Sequence, residues 1–415
     1  MTLIKTSLLN GIAVAIKMLT LLGLNKVLAI YVGPAGYAAL GQFQNAMQMI
    51  TTFASGAINT GVTKYTAEYY EDETKQRLVW RTAGTIALVG SVVTAILIAL
   101  VNKQLAMWVL KDAAYGGVFL WFAATLVLFT FNTLLLAILN GKKEIARYVT
   151  ANIAGSLFAL VVTGIMVVQF GLYGALVSLA VYQSLTFFVT LFLAYNAPWF
   201  KMQYLFGGID KKTALNLSKY TVMALTSAAC VPISHILIRN HLGETLGWEA
   251  AGYWEAMWRL SGAYLMLVTT TLSLYYLPKL SELQDPAAIK REIIQGYKII
   301  LPVAASCGLI IYLLRDFIIR VLFSAEFAPM EEMFAWQMVG DTLKIGSWLL
   351  GYVLLAKSLL GLFIVSEVVF TGFFYILVFC MAERFGVESA AIAHAINYAG
   401  YFVFLFVALK IKKII

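Results

Sequence analysis

The sequence predicts an all-α membrane protein with twelve transmembrane helices, arranged as two six-helix bundles. Of its 415 residues, 61% are hydrophobic and only 12% are charged, whereas about 25% of residues in a soluble globular chain are charged. Apolar runs of about 20 residues, the length that crosses a bilayer as a helix, recur from end to end. The short alternating strands of a membrane β-barrel are not visible.

The connections between the apolar runs are short, so they leave no room for a soluble catalytic domain on either side of the membrane. The twelve predicted spans cover residues 8–31, 36–62, 83–101, 115–139, 148–169, 173–195, 217–238, 247–276, 297–323, 333–356, 359–382 and 389–410.

The lysines and arginines predict the orientation of these spans. If the N-terminus is cytoplasmic, 20 of the 30 Lys and Arg residues fall on the cytoplasmic side and 6 on the other. The positive-inside rule therefore predicts that both termini lie in the cytoplasm. Because most cations lie at the membrane boundary, the net charge of +9 does not indicate a nucleic-acid partner. The remaining 4 cations lie within spans: Lys17, Lys26, Arg259 and Lys344.

An internal repeat is visible in the turns between spans. VGPAGYAAL and LGWEAAGYW contain Gly33 and Gly247, and both segments lead into a span. FGLYGALVS and FGVESAAIA contain Gly171 and Gly386, which are separated by almost the same interval as the first pair. Six spans have therefore been duplicated in parallel orientation. The interval from Gly171 to Gly386 is called the repeat spacing below.

The repeat predicts two domains, residues 1–205 and 206–415. Transporters built from such repeats commonly bind their substrate between the two halves, with one half rocking against the other.

The charges inside the spans depart from the repeat. A shift by the repeat spacing takes Asp341 and Lys344 to Leu126 and Phe129 of the first half. A charge at the bilayer centre costs about 2.5–3.5 kcal/mol on insertion scales, so such residues usually face a protein interior or a watery cavity. Charges without a repeated counterpart are hard to explain as parts of a duplicated scaffold.

The same shift takes Lys17 to Pro232 and Arg259 to Gln44. The position that corresponds to Lys26 in the second half lies near the outer edge of the membrane. Lys26 therefore also fits the pattern of a lysine whose side chain snorkels toward the headgroups.

Lys17, Arg259 and Lys344, with Lys26, are the candidate binding residues for an anionic substrate, most simply a phosphate group. Internal ion pairing is the alternative for two of them. Glu255 precedes Arg259 by four residues and Asp341 precedes Lys344 by three, and both spacings bring side chains together on a helix.

Two further features of the spans suit a sugar. The second span carries a polar stripe that includes Asn45 and Gln48, which fits either a hydrated lumen or hydrogen bonding between helices. Trp254 and Trp258 lie beside Glu255 and Arg259, and their rings could stack on sugar faces or pack within the bundle. The whole stripe comprises Gly41, Asn45, Gln48, Thr52, Ser55 and Asn59.

No nucleotide-binding GxxxxGK[ST] motif and no metal-ligand spacing is present, so the sequence predicts neither a cofactor nor ATP drive from this chain. Active transport would then depend on an ion gradient. The coupling candidates are the two membrane carboxylates, Asp341 and Glu255.

Several short segments carry a resemblance to a known family. NTGVTKYTAEY (59–69), LPKLSEL (277–283), LLRDF (313–317) and FAWQMVGDTLKIG (334–346) are similar to segments of the bacterial O-antigen translocases. These belong to the multidrug/oligosaccharidyl-lipid/polysaccharide exporter superfamily. Within the group, the chain resembles the flippases that serve enterobacterial common antigen, over essentially its whole length.

The resemblance implies a protein of the bacterial inner membrane. We expect a monomer in contact with membrane lipids, with other membrane proteins of polysaccharide assembly as candidate partners. The resemblance also implies a substrate: an undecaprenyl-diphosphate-linked oligosaccharide that moves from the cytoplasmic to the periplasmic leaflet by alternating access. Two other functions remain open. A drug/cation antiporter of the same superfamily would favour a more acidic or apolar lumen, and an integral-membrane polysaccharide polymerase would need a substantial outer loop.

Overall fold

The computed structural model describes the backbone of residues 3–357 and 359–414. Within those ranges, side-chain surroundings are described for all residues except 3–10, 13, 219–220, 222–223, 267, 270–271, 273–274 and 277–278. In this described part every regular element is helical.

The α-helices are numbered here in chain order. They are α1 (Leu3–Ala54), α2 (Asn59–Glu68), α3 (Glu73–Leu100), α4 (Asn102–Leu110), α5 (Gly116–Gly141), α6 (Ile145–Tyr195), α7 (Lys211–Leu246), α8 (Trp248–Thr271), α9 (Leu277–Glu282), α10 (Pro286–Leu313), α11 (Arg315–Leu322), α12 (Phe334–Ala356), α13 (Leu360–Phe385) and α14 (Ser389–Ile411).

Twelve long helical segments can be counted in the described ranges, as the sequence predicts. Breaks in backbone conformation at Gly33 and Gly171 divide α1 and α6 into two segments each. The other eight segments are α3, α5, α7, α8, α10, α12, α13 and α14.

The predicted boundaries of several spans were wrong. The second span was expected to continue to residue 62, but its helix ends at Ala54 because Gly56 and Ala57 adopt positive φ angles of 64° and 52°. The third span begins earlier than expected, at Glu73, where Asp72 caps the helix. The ninth begins at Pro286 and ends at Leu313, and a separate helix follows it.

The length and hydropathy of the helices fit a multi-pass membrane protein. Six helical stretches in the described ranges are long and apolar enough to cross a bilayer, and three of them, with 41, 51 and 52 residues, are about twice the length of one crossing. Helices α7, α8 and α12 are not among these stretches. These three helices carry most of the charged residues of the candidate site.

The internal repeat is visible in the backbone. Gly33, Gly171, Gly247 and Gly386, at corresponding places of the two halves, all have positive φ angles between 54° and 97°. Gly171 and Gly386 nearly coincide, with φ/ψ of 54°/−136° and 56°/−135°. A residue with a Cβ rarely adopts such a conformation, so glycine at these four turns allows one long helix to end and the next to begin.

Helix capping is repeated as well. Asp72 accepts a hydrogen bond from the backbone N–H of Lys75 at the start of α3, at 3.0 Å. Asp285, close to the corresponding place in the second half, accepts bonds from the N–H groups of Ala287 and Ala288 at the start of α10, both at 3.2 Å. Both carboxylates satisfy backbone donors that a helix leaves unpaired at its N-terminus.

The chain packs as two compact units. The first contains Met1–Val32 and Ala39–Pro232, and the second contains Gly33–Ala38 and Ile233–Ile415. Helix α7 therefore passes from one unit to the other at Pro232, and a short piece of α1 belongs to the second unit. The predicted repeat boundary between residues 205 and 206 concerns the duplication and stays a prediction.

Candidate functional site

A buried carboxylate on α12 is the centre of a polar cluster in the second unit. Asp341 is 2% exposed and accepts a 2.6 Å hydrogen bond from the hydroxyl of Ser261 on α8. The phenol of Tyr264 donates to the same carboxylate oxygen, Oδ2. Oδ1 faces the side-chain amide of Gln337 at 3.3 Å and Nε2 of His394 at 3.0 Å. Four side chains from three helices thus share the charge of one carboxylate, which offsets the cost of its burial.

His394 reaches this carboxylate because a glycine lies beside it. A Cβ on Gly340, the residue before Asp341, would lie 2.3 Å from Cδ2 of the imidazole and 3.1 Å from the backbone nitrogen of Ala395. The ring of His394 therefore packs directly against the backbone of α12. Glycine at position 340 makes this close approach of α12 and α14 possible.

Lys344 lies one turn further along α12 in an aromatic box. Its Nζ is 4.3 Å from the ring centroid of Trp258, and 5.3 Å from those of Trp348 and Tyr398. The residue is 7% exposed. Among the described residues, no carboxylate oxygen lies within 4.0 Å of its Nζ, and Asp341 pairs with His394 instead. The predicted local pairing of Asp341 with Lys344 is not formed in this structure.

The predicted pairing of Glu255 with Arg259 is formed, and Arg239 is a second partner of the same carboxylate. The Oε1 of Glu255 accepts from Nε of Arg259 at 2.8 Å, and its Oε2 accepts from Nη1 of Arg239 at 2.5 Å. Glu255 is 4% exposed and Arg239 is 1% exposed, so a carboxylate and an arginine lie buried together on α8 and α7. Arg259 also stacks over the ring of Tyr37, with its guanidinium carbon 5.5 Å from the ring centroid. One negative and two positive charges leave this triad cationic.

Aromatic rings connect the two charged groups. His235 on α7 packs edge-on against Trp254 and Trp258, with ring centroids 5.2 and 4.4 Å apart. Trp258 in turn contacts the ring of His394 at 5.6 Å. Trp254 is 1% exposed, so its ring packs inside the second unit in this conformation. Trp258 is half-buried and lies against Lys344.

The candidates in the first unit have different surroundings. Lys17 is exposed, and Lys26 and Asn45 are half-buried on α1. Gln48 is exposed and uses its backbone carbonyl to accept the hydroxyl of Thr52 at 2.7 Å. These four side chains are therefore not gathered into a buried cluster like the one around Asp341.

The hydroxyls of the polar stripe bond to their own helix. Thr52 donates to the carbonyl of Gln48 and Ser55 donates to that of Thr52, at 2.7 and 3.1 Å. Such bonds satisfy hydroxyls without a ligand. Asn59, the last member, lies beyond the end of α1 and begins α2. The uninterrupted stripe predicted from the sequence was therefore wrong at its C-terminal end.

Sequence reasoning missed two members of the site. Arg239 is one of the 6 cations that the positive-inside count assigns to the non-cytoplasmic side, but it is buried against Glu255. His394 had no partner at helical spacing, because its carboxylate lies 53 residues earlier on another helix. The repeat offered a signal for His394, since the corresponding position of the first half is Leu179.

The fold and the buried charges define a multi-pass membrane protein with an ion-paired polar site inside its second unit. The chain belongs to the polysaccharide biosynthesis protein family, whose profile matches residues 3–284. It is 31% identical to the lipid III flippase of Escherichia coli strain K12 over 97% of each chain. The lipid III flippase of Shigella flexneri shows the same identity and coverage.

Two solved structures share the fold. An inward-facing multidrug resistance transporter of the MATE family, in the MOP superfamily, superimposes with a TM-score of 0.77, covering 95% of this chain and 94% of that one. The lipid II flippase MurJ in an inward closed conformation gives a TM-score of 0.75, covering 99% and 89%. Both are 12% identical to this chain, so they show the fold alone.

Proposed function

We propose that this protein is a flippase for an undecaprenyl-diphosphate-linked oligosaccharide. The substrate moves from the cytoplasmic to the periplasmic leaflet of the bacterial inner membrane by alternating access, for synthesis of enterobacterial common antigen or O-antigen. The chain makes and breaks no covalent bond in this process. The 31% identity to lipid III flippases over 97% of the chain supports this substrate class.

The observation that carries the proposal is the surroundings of Lys344. A lysine inside the membrane would ordinarily pair with a carboxylate, yet Lys344 contacts three ring faces. Each cation–π contact contributes about 0.5–2 kcal/mol, so the three rings together hold the ammonium group in place. They leave it without an oxygen acceptor among the described residues, and a hydrogen bond to a phosphate oxygen would add about 1.5–3 kcal/mol.

Arg259 is the second proposed contact for the diphosphate. Glu255 engages its Nε atom, and 17% of the side chain is exposed, so the guanidinium is not fully enclosed by the protein. Lys17 and Lys26 are further proposed binding residues for an anion, and Asn45, Gln48 and Trp258 are proposed contacts for the glycan. The polyprenyl tail stays in lipid, because transferring it to a hydrated lumen would cost about 0.8 kcal/mol per CH₂ group.

Positive-inside counting supports cytoplasmic termini. Of the 20 cations on that side, Lys5 and Lys219 lie outside the residues whose side chains are described. No observation favours the antiporter, since the likeness to MATE transporters concerns the fold alone.

The test is transport of a lipid-linked oligosaccharide in proteoliposomes, comparing Lys344→Gln with Lys142→Gln. Lys344 lies in the middle of α12, and Lys142 lies at the end of the corresponding helix, α5. The ammonium of Lys142 donates to the side chain of Gln76 at 3.1 Å. Losing a charged hydrogen bond of about 1.5–3 kcal/mol predicts about a tenfold to hundredfold slower flipping for Lys344→Gln. Lys142→Gln should retain transport. If wild-type protein does not flip this lipid, the proposed function is wrong. If Lys344→Gln flips the lipid at the wild-type rate, Lys344 is not a binding residue for the diphosphate.

A further inference from the structure

The hydrogen bonds around Asp341 leave one ring nitrogen of His394 without a partner. Nε2 faces Oδ1 of Asp341 at 3.0 Å, while Nδ1 is buried and has no hydrogen-bond partner in the described part of the chain. The imidazole is fully buried. Because a carboxylate accepts but does not donate, Nε2 must carry hydrogen, and in the neutral ring Nδ1 is then a bare nitrogen.

That bare nitrogen can take up a proton where it stands. Protonation of Nδ1 would convert His394 into an imidazolium that stays bonded to Asp341, so the new charge would form next to an opposite one. A neutral imidazole beside an ionised carboxylate carries a net charge of −1, and the protonated pair carries none. The site can therefore change its charge by one without moving a helix.

A metal ion fits the same place poorly. Hard cations such as sodium, magnesium or calcium require several oxygen ligands with free lone pairs. Both oxygens of Asp341 already accept hydrogen bonds, from Ser261 and Tyr264 on one side and from Gln337 and His394 on the other. Within the described residues there is no group of three or more His, Cys, Asp or Glu side chains that could hold a metal ion.

The pair lies beside the proposed anion-binding lysine. Asp341 and Lys344 are three residues apart on α12, and Trp258 contacts both Lys344 and the ring of His394. With His394 neutral, Asp341 and Lys344 sum to zero charge; with His394 protonated, the three sum to +1. The titratable and charged groups facing this cluster are His235 and Arg239 of α7, Glu255, Arg259 and Tyr264 of α8, Cys307 of α10, Lys344 of α12, Glu367 of α13 and Tyr398 of α14.

We propose that the Asp341–His394 pair is a proton-binding site, that the proton binds at Nδ1 of His394, and that its binding favours an anion at Lys344. The coupling is reciprocal, so a bound diphosphate in turn favours the proton. The link to an anionic substrate rests on the proposed function, whereas the proton site itself does not. Of the two carboxylates that the sequence offers for coupling to an ion gradient, this proposal selects Asp341, paired with His394. Glu255 has a structural role, because it forms ion pairs with two arginines.

The composition of the chain makes a direct test possible, because it contains only three histidines. Full-length protein labelled with ¹⁵N-histidine gives signals from three imidazole rings, two nitrogens in each, which the single variants His235→Gln, His241→Gln and His394→Gln assign. The chemical shifts report tautomer and charge across about pH 5 to 8. We expect His394 to start with hydrogen on Nε2 alone and to gain a proton on Nδ1 within this range.

Asp341→Asn separates the pair from a simple buried histidine. The asparagine keeps the shape of the side chain but not its charge, so we expect His394 to lose its proton uptake over the same range. His235 packs edge-on against two tryptophan rings, and its signal serves as the internal control for an intact fold. If His394 keeps one tautomer and one charge across the range, or titrates equally in Asp341→Asn, the proton site is refuted.

A transport measurement separates the failure of the proton site from the failure of the proposed flippase function. Flipping of a lipid-linked oligosaccharide is measured against pH for wild type and His394→Gln, since glutamine keeps an N–H donor for Asp341 but takes up no proton. We expect the pH dependence of the wild type to disappear in the variant. An identical pH profile in both proteins overturns the coupling while the flippase function stands. Titration of His394 without any flipping by wild type refutes the flippase function and leaves the proton site in place.

Discussion

Helices α5 and α12 occupy corresponding places in the two repeats but bury different residues. In α5, Leu126 and Phe129 are 0% and 8% exposed, and the ring of Phe129 packs against that of Phe122. In α12, Asp341 and Lys344 at the corresponding positions are 2% and 7% exposed. The two helices are therefore similarly buried at these positions, although one interior is apolar and the other is ionic.

The helices on either side of the turns at Gly33 and Gly247 show the same contrast between neutral residues in the first half and charged residues in the second. The repeat spacing relates Arg239, Glu255 and Arg259 to neutral residues of the first half. Those counterparts are Leu24, Leu40 and Gln44. The turns and helix caps are common to both halves, whereas these charges are confined to the second. Lys17 and Lys26 of the first unit also lie within spans, but they are exposed and half-buried. Since burying a charge in a membrane protein is costly, the buried charges of the second unit mark it as the one with the specialised site.

The largest expected effect comes from neutralising the buried carboxylate of the arginine triad. Glu255→Gln removes the negative charge between Arg239 and Arg259, and breaking a buried ion pair from one side costs about 3–5 kcal/mol. We expect a marked fall in the apparent Tm of the purified protein and in its amount in the membrane.

The control for this variant is a double substitution that removes both charges of the buried ion pair, as at the neutral corresponding positions of the first half. In the double variant Arg239→Gln/Glu255→Gln the buried charge and its partner are removed together, so more than half of the lost thermal stability should return. A Glu255→Gln protein as stable as wild type would show that the ion pair contributes nothing to the fold.

A smaller effect is expected from filling the notch between α12 and α14. Gly340→Ala places a Cβ 2.3 Å from the ring of His394, and overpacking of this kind costs about 1–3 kcal/mol. Gly351→Ala on the same helix is the control, because the nearest atom to its Cβ is the Tyr401 hydroxyl at 4.0 Å. Thermal unfolding should show a lower Tm for Gly340→Ala alone. Equal Tm values for both variants would contradict the close packing of His394 on α12.

The smallest effect is expected where the two units are alike. Asp72→Ala and Asp285→Ala each remove a helix cap and should lower Tm slightly, at most by a few degrees, and by similar amounts. The backbone hydrogen bond from Lys75 holds the pKa of Asp72 below its usual value. Its contribution to stability is therefore present above the ordinary carboxylate pKa and is lost as the pH falls through the lower folded value. A large difference between the two variants in Tm measured at neutral pH would contradict the equivalence of the caps.

Much of the fold could be predicted from the chain because its signals are local. Apolar runs, turn glycines and charged ends lie within single helices or short turns, and a repeat multiplies each signal by two. The pairing of Glu255 with Arg259 was also predictable, since four residues bring two side chains together on one helix. The boundaries that failed lie where a cap or a positive φ angle decides the end of a helix, as at Asp72 and Gly56.

The sequence by itself determined the class of the protein, its duplicated helices and the departure of Asp341 and Lys344 from the repeat. Each of these follows from the composition or spacing of neighbouring residues. Only the tertiary structure decided that Asp341 pairs with His394 rather than with Lys344, and that Lys344 lies among aromatic rings. Helical spacing brings groups three or four residues apart onto the same face, but the final partner of a buried charge depends on which other helices pack against that face.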